Sequence, residues 1–175
     1  MYFKLCSVVL LVCIFGANAR KLEFQNCDSS APIQIKQVNL KSSYPIQIKP
    51  GAVLAASGSY SNSYKATPET VFQIRNIKVE RKILWGYTSV TGLISKHIPK
   101  SVKCSDIQKL SPIPICPGKT GSFHFDEKLV IPRTLNVNGA LGFFGSGKYR
   151  LTVDVRDSSG RRIVCIKNAV AEIKL

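Results

Sequence analysis

Hydrophobic and polar positions alternate along most of this chain, and the alternation is clearest near its end. In Lys148–Asp157, Tyr149, Leu151, Val153 and Val155 fall on one face of an extended strand, while Arg150, Thr152, Asp154 and Arg156 fall on the other. Asp157-Ser158-Ser159-Gly160 supplies a turn, and Arg161–Lys167 returns as a second strand carrying Cys165. A hairpin with one apolar and one polar face is a wall between a dry interior and water. Ile33–Leu40, Pro45–Ile48, Val53–Tyr60, Gly86–Ile94 and Ser122–Ile131 predict further strands. Thr70–Leu84 is the longest candidate. Its apolar positions Phe72, Ile74, Ile77, Val79 and Ile83 change parity once, which predicts a bulge near Arg75-Asn76 or, equally, a turn. Only Ser105–Leu110 reads as a helical turn. Seven or eight short strands with frequent Gly and Pro punctuation predict an all-β, two-sheet antiparallel β-sandwich. The single tryptophan, Trp85, lies 19 residues before Cys104, so the usual Cys…Trp…Cys spacing of an antibody domain is absent.

The N-terminus changes the expected compartment. A positive segment at Met1–Lys4, an apolar run at Leu5–Phe15 and the small residues of Ala17-Asn18-Ala19 form a secretory signal pattern. The run is short for a membrane span, which needs ~20 residues. The expected organisation is a signal peptide over residues 1–19 and one domain over residues 20–175, in a secreted or lumenal protein. Removing residues 1–19 takes Cys6 and Cys13 away and leaves Cys27, Cys104, Cys116 and Cys165. An even count in an oxidising compartment predicts two disulfides, with three pairings open. A local Cys104–Cys116 clip with Cys27–Cys165 tying first and last strand regions is one of them.

Charge narrows the partners. The chain carries a formal charge of +15, and only Lys4 leaves with the signal segment, so the remainder is +14. Such an excess draws a protein toward acidic lipid headgroups, sialylated glycans or nucleic acid. Secretion makes nucleic acid the least suitable, so anionic membranes and glycans lead and no nucleic-acid partner is expected. Catalysis has little to work with. His97 and His124 are the only histidines, no nucleophile elbow or H-x-x-x-H pair occurs, and Asp126-Glu127 beside His124 reads as a surface turn. Neither a catalytic residue, a metal site nor a cofactor is expected.

The segment Leu135–Gly147 is glycine-rich and carries Leu141, Phe143 and Phe144. Adjacent phenylalanines on a flexible segment, bracketed by Arg133, Lys148 and Arg150, predict a membrane-contact loop. The alternative is an aromatic plug folded over the end of the sandwich.

These residues carry a resemblance. Phe24–Asp28 (F-Q-N-C-D), Cys104–Leu110, Ile115-Cys116-Pro117 with Gly121, the strand ending at Val130–Pro132, and above all G-K-Y-R-L with S-S-G-R-R-I-V-C-I-K in Gly147–Lys167 resemble, in order, segments of the MD-2-related lipid-recognition (ML) family, and within it its ganglioside-activator branch. The likeness spans nearly all of Phe24–Leu175. It implies a sandwich of immunoglobulin-like topology whose sheets stand apart around an apolar cavity. It also implies disulfides Cys27–Cys165 and Cys104–Cys116, and it aligns Leu141–Phe144 with an aromatic-bearing rim loop implicated in membrane contact. The implied function is secreted or lysosomal binding and transfer of a lipid or glycolipid, presented in some members to a partner glycosidase. Phe72, Ile74, Phe125, Tyr149, Leu151, Val153 and Val155 are the expected cavity-lining residues. The competing expectation is a secreted basic recognition module with a solid interior, which binds anionic glycans, membranes or a protein.

Overall fold

The alternating segments pair into two sheets. The computed structural model describes residues 20–42, 45–95, 98–110, 116, 118–131 and 145–175. The signal-like segment 1–19, His97 and the loop residues Leu141, Phe143 and Phe144 lie outside the described residues. In the first sheet, β1 (Arg20–Lys21), β3 (Ile33–Leu40), β5 (Val53–Asn62) and β9 (Gly121–Val130) lie side by side in that order. In the second, the order is β2 (Gln25–Asn26), β11 (Arg162–Lys174), β10 (Gly147–Asp157), β6 (Val71–Ile83) and β7 (Gly86–Ser89). Both sheets are antiparallel apart from β4 (Ile46–Gln47), which runs parallel to the end of β11. The short β8 (Ser101–Lys103) pairs with the start of β6. Two short helices, α1 (Thr91–Ile94) and α2 (Cys104–Leu110), complete the described elements.

Bulges set which side chains face inward. Asp154 pairs with Asn76 but Val155 pairs with Ile74, so Arg75 is the extra residue of a bulge, and β6 continues through it without a turn. In β11 the pairing passes from Leu151↔Ala169 to Val153↔Ile166, and Asn168 absorbs the extra residue with a left-handed φ of 56°. That bulge returns Ala169, Ala171 and Ile173 to the buried face, so the strand runs to Lys174 rather than ending at Lys167. Gly86–Ile94 departs from the expected single strand. The ladder stops at Ser89, because the Thr91 hydroxyl accepts from the Val79 amide at 2.9 Å and donates to the Val79 carbonyl at 3.2 Å. Local side-chain bonding of this kind competes with continued strand pairing, and Thr91 opens α1 instead.

The inner faces meet in two apolar clusters. One gathers Tyr60, Phe72, Phe125 and Ile163 around the Cys104–Cys116 disulfide. Tyr60 stacks on Phe123 with ring centroids 5.3 Å apart. Phe125 lies across Gly58, its register partner, where a Cβ would come within 2.6 Å of the Phe125 ring and press on the Gln37 carbonyl. The other cluster holds Leu54, Val79, Ile131, Tyr149, Leu151 and Val153 with Ile46 and Ile48. Phe24, Ile35, Val155 and Val164 touch both clusters and are only partly buried. The second disulfide, Cys27–Cys165, lies within the second sheet and closes 138 residues of sequence.

Candidate functional site

The expected cavity residues divide between the two clusters. Phe72 and Phe125 belong to the disulfide end, Tyr149, Leu151 and Val153 to the opposite end, and Val155 touches both. Ile74 sits opposite Val155, is partly exposed and belongs to neither cluster. The alternation of the closing hairpin is therefore built as an inner wall, with Tyr149, Leu151 and Val153 buried.

The exposed apolar surface is concentrated. Among the described residues the large exposed hydrophobics are Val53, Ile83, Leu84, Trp85, Val130 and Leu175. Val53 and Val130 form the last pair of the first sheet, and Ile83 closes the pairing of β6 with β7. Leu84 and Trp85 are the two-residue turn between those strands. Leu175 follows β11, and its amide donates to the Ser146 hydroxyl beside the start of β10 at 3.0 Å. The segment between β4 and β5 joins these strand ends. The Ile48 amide donates to the Lys174 carbonyl and the Gly51 amide to the Ile131 carbonyl, each at 2.9 Å. All six side chains therefore occupy one end of the sandwich, the end opposite the Cys104–Cys116 cluster. Exposed Lys49, Lys82, Lys148 and Lys174 accompany them.

The turn itself is out of character for a fold-stabilising device. Leu84 is 84% exposed with φ of 49°, and Trp85 is 98% exposed. A two-residue hairpin turn with positive φ ordinarily takes Asn, Asp or Gly, and a left-handed residue with a Cβ costs roughly 1–2 kcal/mol. Neither side chain recovers that cost by packing. Backbone strain held without a packing reason points to a surface role. In the sequence, Leu84 reads as the last residue of a strand, and Trp85 serves only to set aside an antibody-type domain. The available signal was an apolar pair directly before Gly86, between two segments able to pair.

The outer face of the second sheet is polar, and its buried carboxylates are held by basic side chains. Glu80 accepts from Arg150 and pairs with Lys78, both at 2.8 Å, and the Arg150 guanidinium lies 4.2 Å from the Tyr87 ring centre. The Arg150 hydrogen bond holds the Glu80 carboxyl below the usual range. Arg162 spans Asp154 and Asp28, with contacts of 3.0 Å to each. Burial pushes Asp154 upward, but the bonds from Arg162 and Arg156 outweigh it and its pKa falls. Asp28 is lowered to about 2, first by the Ser30 hydroxyl and then by Arg162. His124 is exposed on the outer side of β9, and Asp126 pairs with Lys41. Among the described residues no group of three or more His, Cys, Asp or Glu side chains could hold a metal ion.

Two stacked antiparallel sheets, an apolar interior and one apolar end with basic flanks define an all-β sandwich. The ML-domain profile matches residues 21–171, and the chain belongs to the ML-domain family. Lipid binding and transfer is the function typical of that family, whose members are non-catalytic carriers that interact with membranes. Among solved structures, the chain is similar to a Niemann-Pick type C2 protein from Japanese carpenter ant. The identity is 14%, with 87% of this chain and 99% of that chain covered and a TM-score of 0.44. It is also similar to chicken MD-1 complexed with lipid IVa, at 10% identity, 91% and 94% coverage and a TM-score of 0.45. No curated protein matches the chain.

Proposed function

We propose that this protein is a secreted or lysosomal carrier, released from a signal peptide at residues 1–19, which takes lipid or glycolipid from a membrane into an apolar space between its sheets. The observation that carries this reading is the gathering, at one end of the sandwich, of the six large hydrophobics exposed among the described residues. An end that is apolar at its tip and basic at its shoulder suits an anionic bilayer surface. Leu141, Phe143 and Phe144, in the connection from Val130 to Gly147, would add to it. Partly exposed Phe24, Ile35, Val155 and Val164, between the two clusters, support an interior that is not filled by its own side chains. Phe72, Ile74, Phe125, Tyr149, Leu151, Val153 and Val155 are the proposed lining.

Energetics favour handover at the membrane. Desolvating a 16-carbon acyl chain recovers ~0.8 kcal/mol per CH₂, on the order of 10 kcal/mol relative to water. A bilayer offers the chain a similar environment, so movement between bilayer and protein is close to balanced, while release into water is not. Docking at the apolar end removes the aqueous step. The ordered segments shared with the ganglioside GM2 activator protein, above all Gly147–Lys167, further suggest a glycolipid cargo and a glycosidase as partner.

Solvent extraction of the purified protein followed by mass spectrometry is expected to recover bound acyl lipid, and fluorescent lipid is expected to transfer into it from vesicles. Absence of both would overturn the carrier reading and leave the solid-core recognition module.

A further inference from the structure

The second sheet turns a cation, Arg81, toward the interior. Arg81 pairs in register with Tyr149, and directly opposed residues of an antiparallel pair share a face. Tyr149 is buried in the apolar cluster, so Arg81 leaves β6 on the inner face, two residues beyond buried Val79, at the apolar end of the sandwich. Its guanidinium lies over the backbone where β10 begins. A Cβ on Gly145 would stand 3.2 Å from Nη2, and one on Gly147 would stand 3.1 Å from Nε. Nη2 donates to the Ser146 carbonyl at 2.8 Å, and the Tyr149 hydroxyl fixes the same segment by donating to the Gly145 carbonyl at 2.8 Å.

Arg81 differs from the other partly buried arginines. Arg150, Arg156 and Arg162 each hold a carboxylate, whereas among the described residues Arg81 has no carboxylate partner. Glu127 on β9, whose strand position also faces inward, is not bonded to it. A guanidinium has five N–H donors in a planar fork. The Ser146 carbonyl takes one of them, which leaves Arg81 able to receive an oxyanion in bidentate geometry.

We propose that Arg81 recognises the anionic headgroup of the carried lipid, a phosphate or carboxylate held at the mouth while the acyl chains enter between the sheets. This rests on the carrier reading and adds a headgroup class to it.

The test loads purified protein from nonionic-detergent micelles, where no bilayer surface contributes. Two competing pairs are offered: phosphatidylglycerol against phosphatidylcholine for the phosphate source, and a monosialylated ganglioside against its asialo counterpart for the carboxylate source. Bound lipids are counted by mass spectrometry. Wild type is expected to enrich the anionic member of at least one pair. R81Q should lower that enrichment about tenfold or more, the usual scale for a hydrogen bond to a charged group. R81K should keep less than half of it, because an ammonium lacks the fork. R75Q, which removes an exposed charge at the distant bulge, should leave it unchanged. No anionic enrichment by wild type, an unchanged ratio in R81Q, or R81K equal to wild type overturns the proposal. Lipid bound without headgroup preference defeats this inference alone, whereas no lipid bound defeats the carrier reading as well.

Discussion

Replacing Trp85 with serine removes the most exposed large side chain at the apolar end of the sandwich. At 98% exposure the indole makes almost no intramolecular contact, so stability should change by no more than about 0.5 kcal/mol, the usual range for surface substitutions. Membrane affinity should respond very differently. A tryptophan buries 150–250 Å² when fully enclosed, worth roughly 4–6 kcal/mol at about 25 cal/mol per Å². Half insertion at an interface is therefore worth about 2–3 kcal/mol, and W85S should weaken vesicle binding roughly 30- to 150-fold. Co-sedimentation with vesicles containing anionic lipid measures this. Trp85 is also the sole tryptophan of the chain, so intrinsic emission of the unaltered protein should be water-like in solution and shift to the blue as vesicles are added. Unshifted emission at saturating lipid, or W85S binding as tightly as wild type, would refute the assignment of this end to the membrane.

Gly58→Ala should destabilise the fold by about 1–3 kcal/mol, the common cost of overpacking, because the added Cβ meets the Phe125 ring and the Gln37 carbonyl; thermal denaturation reads the loss. On the loop-entropy model, removing Cys104–Cys116, which spans 12 residues, should cost about 3 kcal/mol, and removing Cys27–Cys165, which spans 138, about 5 kcal/mol; denaturant titration of the two double-serine variants should preserve that order. Asp28, Glu80, Asp154 and Asp157 all have folded pKa values below their unfolded ones, so the stability they contribute is present above the ordinary carboxylate range and lost as pH falls through the folded values, reaching about 2 for Asp28. The melting temperature should therefore hold from neutral pH into the acidity of a lysosome and fall below about 4; a steep fall between pH 7 and 5 would contradict the assigned networks.

The closing hairpin was legible because Tyr149, Leu151 and Val153 alternate without interruption and their burial follows period two. The bulge at Arg75 was legible as a parity break, but whether it ended the strand depended on pairing with β10, which local sequence does not specify. Its consequence was harder to see. Beyond the bulge the inward parity is that of Ile77 and Val79, and Arg81 inherits it, so the sandwich acquires an inward cation that alternation read from Phe72 would have turned outward. The second half of β11 was hidden by Lys167-Asn168, a polar interruption that reads as an end until the left-handed Asn168 restores the phase. Trp85 was hidden for a different reason. An apolar pair between two strand-like segments resembles continued strand, and its exposure follows from a tight turn made without Asn or Gly. The expected lining residues were legible as inward-facing positions, but their division between two clusters depended on how the sheets meet, a long-range property.

The two disulfides have a mechanical meaning beyond their contribution to stability. Cys27–Cys165 reinforces one sheet against itself, whereas Cys104–Cys116 fastens the α2 side of the second sheet to the segment leading into β9 of the first, at the end away from Trp85. At the Trp85 end, among the described residues, no disulfide crosses between the sheets. A pair of stiff plates riveted at one edge and unriveted at the other has its greatest compliance at the unriveted edge. Where Arg81 and the Leu84-Trp85 turn sit, the segment between β4 and β5 joins the sheets by hydrogen bonds alone, which can part and re-form, whereas the disulfide end parts only if a covalent bond is broken.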